Sequence, residues 1–197
     1  MKNIKQYKNK ILNDDCLNIL EKLPLESVDL ILSDPPYGQN MTYGKRRIKI
    51  KNDNNLKWLF SFAYNAYRIL KIKSYCVLFW QWRTYIDLVN IMTKAGFSIK
   101  SIGIWNKLSP GLGNGITEQY ELIIFFRKSK ALCNYYRGNI FTYPKICKNS
   151  MHPHQKPKDL FKEIINLVSK KNDFVLDPFL GTGTTVIACK ETKRNYF

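Results

Sequence analysis

Val28-Asp29-Leu30-Ile31-Leu32-Ser33-Asp34-Pro35-Pro36-Tyr37-Gly38 is the stretch on which the reading of this chain turns. Residues 28–32 are apolar and partly β-branched, and a proline pair cuts them off, which is the pattern of a short buried strand. Two consecutive prolines fix φ near −65° twice and remove two backbone donors, so the strand cannot continue. The strand therefore gives way to a stiff loop that holds one carboxylate and one aromatic ring at a sheet edge. That pairing suits a planar ring bearing an exocyclic amine: Asp34 and a freed proline carbonyl accept from the amine, and Tyr37 covers the ring. A plain Pro-Pro turn whose Asp34 caps the next element would read the same way.

A second segment has the same design. Residues 174–176 (Phe-Val-Leu) read as another buried strand, followed by Asp177-Pro178-Phe179-Leu180-Gly181-Thr182-Gly183-Thr184-Thr185 and a helical stretch at 186–190. A strand, a glycine loop and a helix in succession point backbone N–H groups and a positive helix end at a ligand. Glycines 181 and 183 let the main chain approach that ligand closely. The phosphate loop G-x-x-x-x-G-K-[ST] does not fit, because no lysine follows the second glycine. The dinucleotide pattern G-x-G-x-x-G also fails, since position 186 is valine.

With His152-Pro153-His154-Gln155-Lys156-Pro157 between them, these motifs resemble the amino-methyltransferases of DNA, which use S-adenosylmethionine to methylate N6 of adenine or N4 of cytosine. The order, catalytic loop first and cofactor loop last, is similar to the circularly permuted β class of that family, and the likeness runs from Asn13 to Phe197. It implies a class I, Rossmann-like α/β fold: a mostly parallel twisted sheet with helices on both faces and one antiparallel hairpin strand, the last two strands forming the hairpin. It implies catalytic roles for Asp34, Pro35, Pro36 and Tyr37. Asp177, Phe179, Gly181, Gly183 and Thr184 would line the cofactor pocket, Lys156 and Pro157 its methionine end, and Asp15 and Cys16 its adenine ring. The third position of the histidine motif is more often Thr or Ser in the family, so His154 departs from its pattern. An acid that usually holds the ribose hydroxyls should end a strand beginning near Asn195. The chain stops at Phe197, so the sequence reads as C-terminally truncated.

Length and charge agree. The 197 residues suit one catalytic domain spanning 1–197. The net charge is +17, from 32 basic and 15 acidic residues, which suits a polyanionic partner. Lys45, Arg46, Arg47, Lys49 and Lys51 form the densest basic patch, placed to neutralise DNA phosphates without reading sequence; an AT-rich coding bias would enrich lysine too. The five cysteines show no ligand spacing and read as reduced thiols of an intracellular, cytoplasmic protein of a bacterial or phage-infected cell. The only two histidines, His152 and His154, lack acidic or cysteine neighbours, so no metal site is expected. No apolar run reaches about 18 residues, and the basic N-terminus lacks a signal-peptide core.

Along the chain, α and β signals alternate, which argues for a parallel sheet clad by helices. A short strand is expected at 10–13, and a helix from Cys16 capped by Asp14 or Asp15. Leu56, Leu59, Phe60, Ala63, Tyr67 and Leu70 mark one face of a second helix. Strands are expected at 75–79, 98–105 and 120–126, with a helix over 82–95 stopped by Gly96. Pro157 takes the first-turn position of a helix running to about 170. Residues 38–55 and 127–150 are the candidate DNA-contacting loops. Both Asp34 and Asp177 come directly after strands, so both loops should share the carboxyl edge of the sheet. The resemblance makes their strands neighbours.

The expected partners are double-stranded DNA and a cognate restriction enzyme. The D-P-P-Y form favours adenine, whereas cytosine-N4 enzymes more often carry S-P-P-Y. N4-cytosine, a guanine amine in structured RNA, and a catalytically inactive nucleic-acid-binding remnant stand as alternatives.

Overall fold

The computed structural model describes residues 3–38, 42–43, 48–49, 55–111, 114–146 and 155–197. In chain order the regular elements are α1 (Cys16–Lys22), β1 (Val28–Ser33), β2 (Thr42–Tyr43), β3 (Ile48–Lys49), α2 (Lys57–Ile69), β4 (Leu70–Trp80), α3 (Tyr85–Lys94), β5 (Ser98–Asn106), β6 (Tyr120–Lys128), β7 (Ile140–Thr142), α4 (Lys158–Val168), β8 (Phe174–Leu176), α5 (Thr184–Glu191) and β9 (Asn195–Tyr196). Seven strands form one sheet in the order β7-β5-β6-β4-β1-β8-β9, and β2 and β3 pair separately.

Strand β1 is nearly all apolar because both of its faces are covered. Leu30 and Leu32 join a core with α4 and α5, while Ile31 joins the opposite core with α1, α2 and α3. Its neighbours β4 and β8 both run parallel to it. The chain leaves β1 toward β4 on one side and returns as β8 on the other. The two loops of interest therefore emerge side by side at this switch in strand order, where ligands of open α/β sheets bind. At the base of the sheet, Asp29 locks the same three strands. One carboxylate oxygen pairs with Lys71 of β4 at 2.7 Å, and the other accepts from the backbone N–H of Phe174 in β8 at 2.9 Å.

Several expectations are corrected. The antiparallel strand is β6, which opposes both β4 and β5; the last two strands, β8 and β9, are parallel. Residues 10–13 form no strand. They run past the β9 edge, tied by the N–H of Asn9 to the carbonyl of Tyr196 at 2.8 Å, and Ile11 and Leu12 stay partly exposed along a cleft. Helix α2 buries Leu59 and Ala63 as expected, with Leu56 and Tyr67 packed against the same core, but Phe60 is 58% exposed, and Trp58, Phe62, Ala66 and Ile69 complete the buried face. Its buried stripe begins at Trp58, and Leu56 is the N-cap before the first turn. The 82–95 helix opens as a 3-10 turn (Trp82–Thr84) before α3, and Gly96 ends it with φ +110°. Pro157 is the N-cap of α4 rather than its first helical residue.

Of the 127–150 stretch, the described residues 127–146 are not a free loop. Because β6 runs opposite to its neighbours, pairing Leu122 with Trp80 and Lys128 with Ser74, residues 129–139 leave it at the edge away from Asp34. They are pinned to α4 by Asn134, which donates to the carbonyls of Asn166 and Ser169 at 2.8 Å each. The chain then adds β7 to the sheet edge. No helix among the described residues is long and apolar enough to cross a membrane.

The buried face of α2 gives a stability test. Phe62→Ala should lower the unfolding free energy by about 3–5 kcal/mol, the usual cost of emptying a buried phenylalanine site. Phe60→Ala should change it by less than about 0.5 kcal/mol. Urea denaturation of both variants checks the pair.

Candidate active site

Strand β1 ends at Ser33, whose hydroxyl donates to Oδ1 of Asp177, the residue that ends β8. The hydroxyl of Thr185, in the first turn of α5, donates to Oδ2 of the same carboxylate. The backbone N–H of Phe179 donates to Oδ1 at 3.1 Å. One buried carboxylate thus ties the end of β1, the glycine loop and the start of α5 together. Burial pushes its pKa up to about 6, against the hydrogen bonds that favour the charged form.

The glycine loop turns on two left-handed residues, Gly181 at φ +52° and Gly183 at φ +82°, and Gly183 is the N-cap of α5. A Cβ at Gly183 would meet nothing within 4 Å, so the requirement there is backbone conformation, and the turn lies open. Phe179 packs beneath it against Trp58 and Phe62, with ring centroids 5.0 and 5.9 Å away. The indole N–H of Trp58 is, among the described residues, the buried side-chain donor left without a partner. Beside the loop lies a cleft of about 140 Å³ lined by Leu12, Asp14, Cys16, Asp177, Leu180 and Phe197. Cys16 and Asp177 are therefore brought together as expected. Asp15 is not: its side chain caps α1 through the N–H of Leu17 at 2.9 Å, and Asp14 takes the place on the cleft. Burial and the neighbouring Asp15 push the Cys16 thiol up to about 11, so it is an unreactive wall.

On the other side of Ser33, Asp34 is held at both oxygens. Tyr37 donates its hydroxyl to Oδ1, and the ammonium of Lys156 sits 2.7 Å from Oδ2. Lys156 also pairs with Glu121 of β6 at 2.9 Å, and Glu121 pairs in turn with Lys107 at 2.9 Å. The Tyr37 hydroxyl lies 3.3 Å from Glu121. Two carboxylates and two ammonium groups thus form one balanced cluster. Lys156 is 7% exposed, boxed by the rings of Phe79, Trp105 and Tyr37 at 5.5, 5.8 and 5.9 Å.

Burial alone would lower the Lys156 pKa, but Asp34 and Glu121 outweigh it and hold the ammonium charged. Burial alone would raise that of Glu121, but Lys156 and Lys107 hold it below the usual carboxylate value. For Tyr37, burial and both carboxylates act together and keep the phenol protonated. The backbone of the loop is anchored as well. Thr84 donates to the carbonyl of Tyr37 at 2.9 Å while accepting from Trp80 Nε1 at 3.1 Å, and the Tyr37 and Trp80 rings lie 5.4 Å apart.

Asp34 and Tyr37 therefore share one edge with Lys156 and the Asp177 loop, and Pro157 is buried where α4 begins. Glu121 and Thr84 went unread in the sequence. The one signal for Glu121 was an acid inside the otherwise apolar run of 120–126. Lys45, Arg46, Arg47, Lys51, His152 and His154 lie outside the described residues, and of Lys49 only the backbone in β3 is described. No group of three or more His, Cys, Asp or Glu among the described residues is placed to hold a metal.

Comparison with known proteins gives a consistent set. The DNA methylase family of the N6/N4 type matches residues 28–197. The type II methyltransferase M.BglII of Bacillus subtilis is 26% identical over 98% of this chain, which spans 65% of M.BglII's own length. The DNA adenine methyltransferase YhdJ of Escherichia coli (strain K12) is 29% identical over 89% of this chain and 72% of its own. Among solved structures, the M1.HpyAVI–SAM complex superposes with a TM-score of 0.72 at 24% identity, covering 95% of this chain and 90% of that one. The cytosine-N4-specific PvuII DNA methyltransferase gives 0.77 at 18%, covering 93% and 78%. These likenesses establish the class I methyltransferase fold.

The buried Asp177 has a pH signature. Its folded pKa of about 6 lies above the ordinary 3.8, so the folded state holds the proton more tightly than the unfolded chain does. Its contribution to stability is therefore fullest below 3.8 and is lost as pH rises through 6. Across that window, stability should fall more steeply with pH in the wild type than in Asp177→Asn. Urea midpoints at a series of pH values read the difference, and parallel curves would contradict it.

Proposed function

The chain belongs to the N6/N4-type DNA methylase family, and from that membership we propose that it methylates N6 of an adenine rotated out of double-stranded DNA, with S-adenosylmethionine as methyl donor. The observation that carries the proposal is the Ser33–Asp177 hydrogen bond. It joins the base-gripping loop and the glycine loop at the ends of two adjacent parallel strands. The Asp-Pro-Pro-Tyr form favours adenine, and the adenine methyltransferase YhdJ among the relatives supports that choice. The type II enzymes M.BglII and M.HinfI support a role beside a cognate restriction enzyme.

The residues present fit S-adenosylmethionine. An apolar cleft with the Asp14 carboxylate among its walls suits an adenine ring, and the open turn at Gly183 exposes backbone to a polar group. Asp14, Cys16, Asp177, Phe179, Gly181, Gly183 and Thr184 would hold it. When bound, the cofactor supplies an activated methyl group on a sulfonium centre. Asp34 and the Pro35 carbonyl accept the two amine hydrogens of adenine, drawing the nitrogen toward sp³ and freeing its lone pair. A carboxylate has about four acceptor positions, so Asp34 can take the amine while keeping Tyr37 and Lys156.

Lys156 alone would weaken Asp34 as an acceptor. Glu121 shares that ammonium and so restores the negative charge of Asp34, which stabilises the cation developing on the nitrogen. Tyr37, fixed at its hydroxyl and carbonyl, offers its ring to the base. Since the target amine is paired within a duplex, the base must leave the stack to reach Asp34.

Incubation with S-adenosylmethionine and duplex DNA, followed by mass spectrometry of the nucleosides, should yield N6-methyl-2′-deoxyadenosine. N4-methylcytosine in its place would overturn the adenine assignment. Asp34→Ala should cut methyl transfer by roughly 10³-fold while changing cofactor affinity by less than about threefold; equal loss of both would contradict the role of Asp34. Glu121→Gln should lower kcat on the order of 10²-fold through a misplaced Lys156, with cofactor affinity retained in calorimetry.

A further inference from the structure

The turn after β4 carries a side-chain arrangement that the transfer chemistry does not use. Trp82 is 52% exposed, and the guanidinium of Arg83 lies over its ring, 4.8 Å from the centroid. Glu118, on the loop joining β5 to β6, grips both. Its Oε1 accepts from Trp82 Nε1 at 2.8 Å and lies 2.8 Å from Nη2 of Arg83. Glu118 is itself set by the loop backbone, where the N–H of Gly111 reaches its carbonyl at 3.2 Å and the N–H of Lys107 reaches that of Gln119 at 2.9 Å. An indole held at its N–H and by a cation keeps one orientation in water, which a solvated surface residue has no need to do. The Trp82 N–H donor and Oε1 of Glu118 are both engaged inside the cluster. What remains for a partner is an open π-surface and the unused donors of a planar guanidinium.

Its position says what that partner is. Trp82 lies two residues before Thr84, whose hydroxyl holds the carbonyl of Tyr37. The loop bearing Glu118 begins at Lys107 and ends just before Glu121, and both of these belong to the cluster around Asp34. The platform therefore stands at the mouth of the site and is joined to it through both strands. The chain carries a net charge of +17, which draws a polyanion to it. Aromatic faces and guanidinium planes are the groups on which unstacked bases settle. A phosphate contact alone would need a cation and no indole.

We propose that Trp82, Arg83 and Glu118 form a base-stacking platform that contacts the DNA beside the extruded nucleotide. The platform rests on the DNA reading of the site. Trp82 supplies the stacking face, Arg83 a planar donor to a neighbouring base edge or sugar, and Glu118 holds both in register with the catalytic loop.

A fluorescein-labelled duplex with one adenine opposite an abasic site tests it, because that adenine leaves the stack without breaking a pair. Trp82→Ala should weaken binding of this probe by roughly tenfold or more, with the dependence of log Kd on log salt unchanged because no phosphate contact is removed. Trp82→Phe should recover most of the loss, and Glu118→Ala, which frees the indole and the guanidinium, should fall between. Thermal unfolding of each variant checks that it is folded. Binding by Trp82→Ala within twofold of wild type would overturn the platform, as would a Trp82→Phe variant no better than Trp82→Ala. Tight, Trp82-dependent binding by a wild-type protein that makes no methylated adenine would count against the proposed reaction and leave the platform standing.

Discussion

One buried carboxylate organises this protein. Asp177 accepts from Ser33, Thr185 and the backbone of Phe179, so the ends of two strands and the first turn of α5 meet at a single acceptor pair. Burying a carboxyl group is costly unless it is hydrogen-bonded, and here every bond comes from a different part of the machinery. The Asp34 loop and the glycine loop that faces the cleft thus share one anchor. Drift of either loop costs this buried carboxylate a donor.

Around Asp34 the arrangement is a different one, a carboxylate set against an ammonium. Lys156 alone would neutralise it, and Glu121 prevents that by competing for the same ammonium. The aromatic box of Phe79, Trp105 and Tyr37 gives that ammonium further support from the ring faces. Four charges with zero net sum are cheaper to enclose than any one of them alone, provided that each keeps its partners. Rigidity then comes from connection across the sheet: Thr84 holds the Tyr37 carbonyl from the turn after β4, and β6 delivers Glu121 from the antiparallel side.

The parts of the fold that could be read in advance were those governed by local chemistry. Prolines 35 and 36 had to end a strand, Gly181 and Gly183 had to allow a tight turn, and unbroken apolar runs had to lie in a sheet covered on both faces. Readings failed where neighbours far along the chain decide. Residues 10–13 have strand-like composition but form no ladder with β9, which is tied instead to Asn9 just before them. The apolar face of α2 was set by its docking under Phe179, which made Trp58 and Phe62 core residues and turned Phe60 to water. The antiparallel strand fell at β6, because direction depends on the order of strands in the sheet rather than on any strand's own residues.

From the sequence alone came the α/β class, the two loops, Asp34 and Tyr37, and the resemblance to amino-methyltransferases of DNA. All of these depend on backbone constraints and residue chemistry that act within about ten positions. Only the tertiary structure put Lys156 between Asp34 and Glu121, made Asp177 a brace rather than a free acceptor, gave Asp14 the cleft in place of Asp15, and set Glu118 across Trp82 and Arg83. Hydrogen bonds and ion pairs act over a few ångströms, and which residues come within that reach is fixed by strand order and packing.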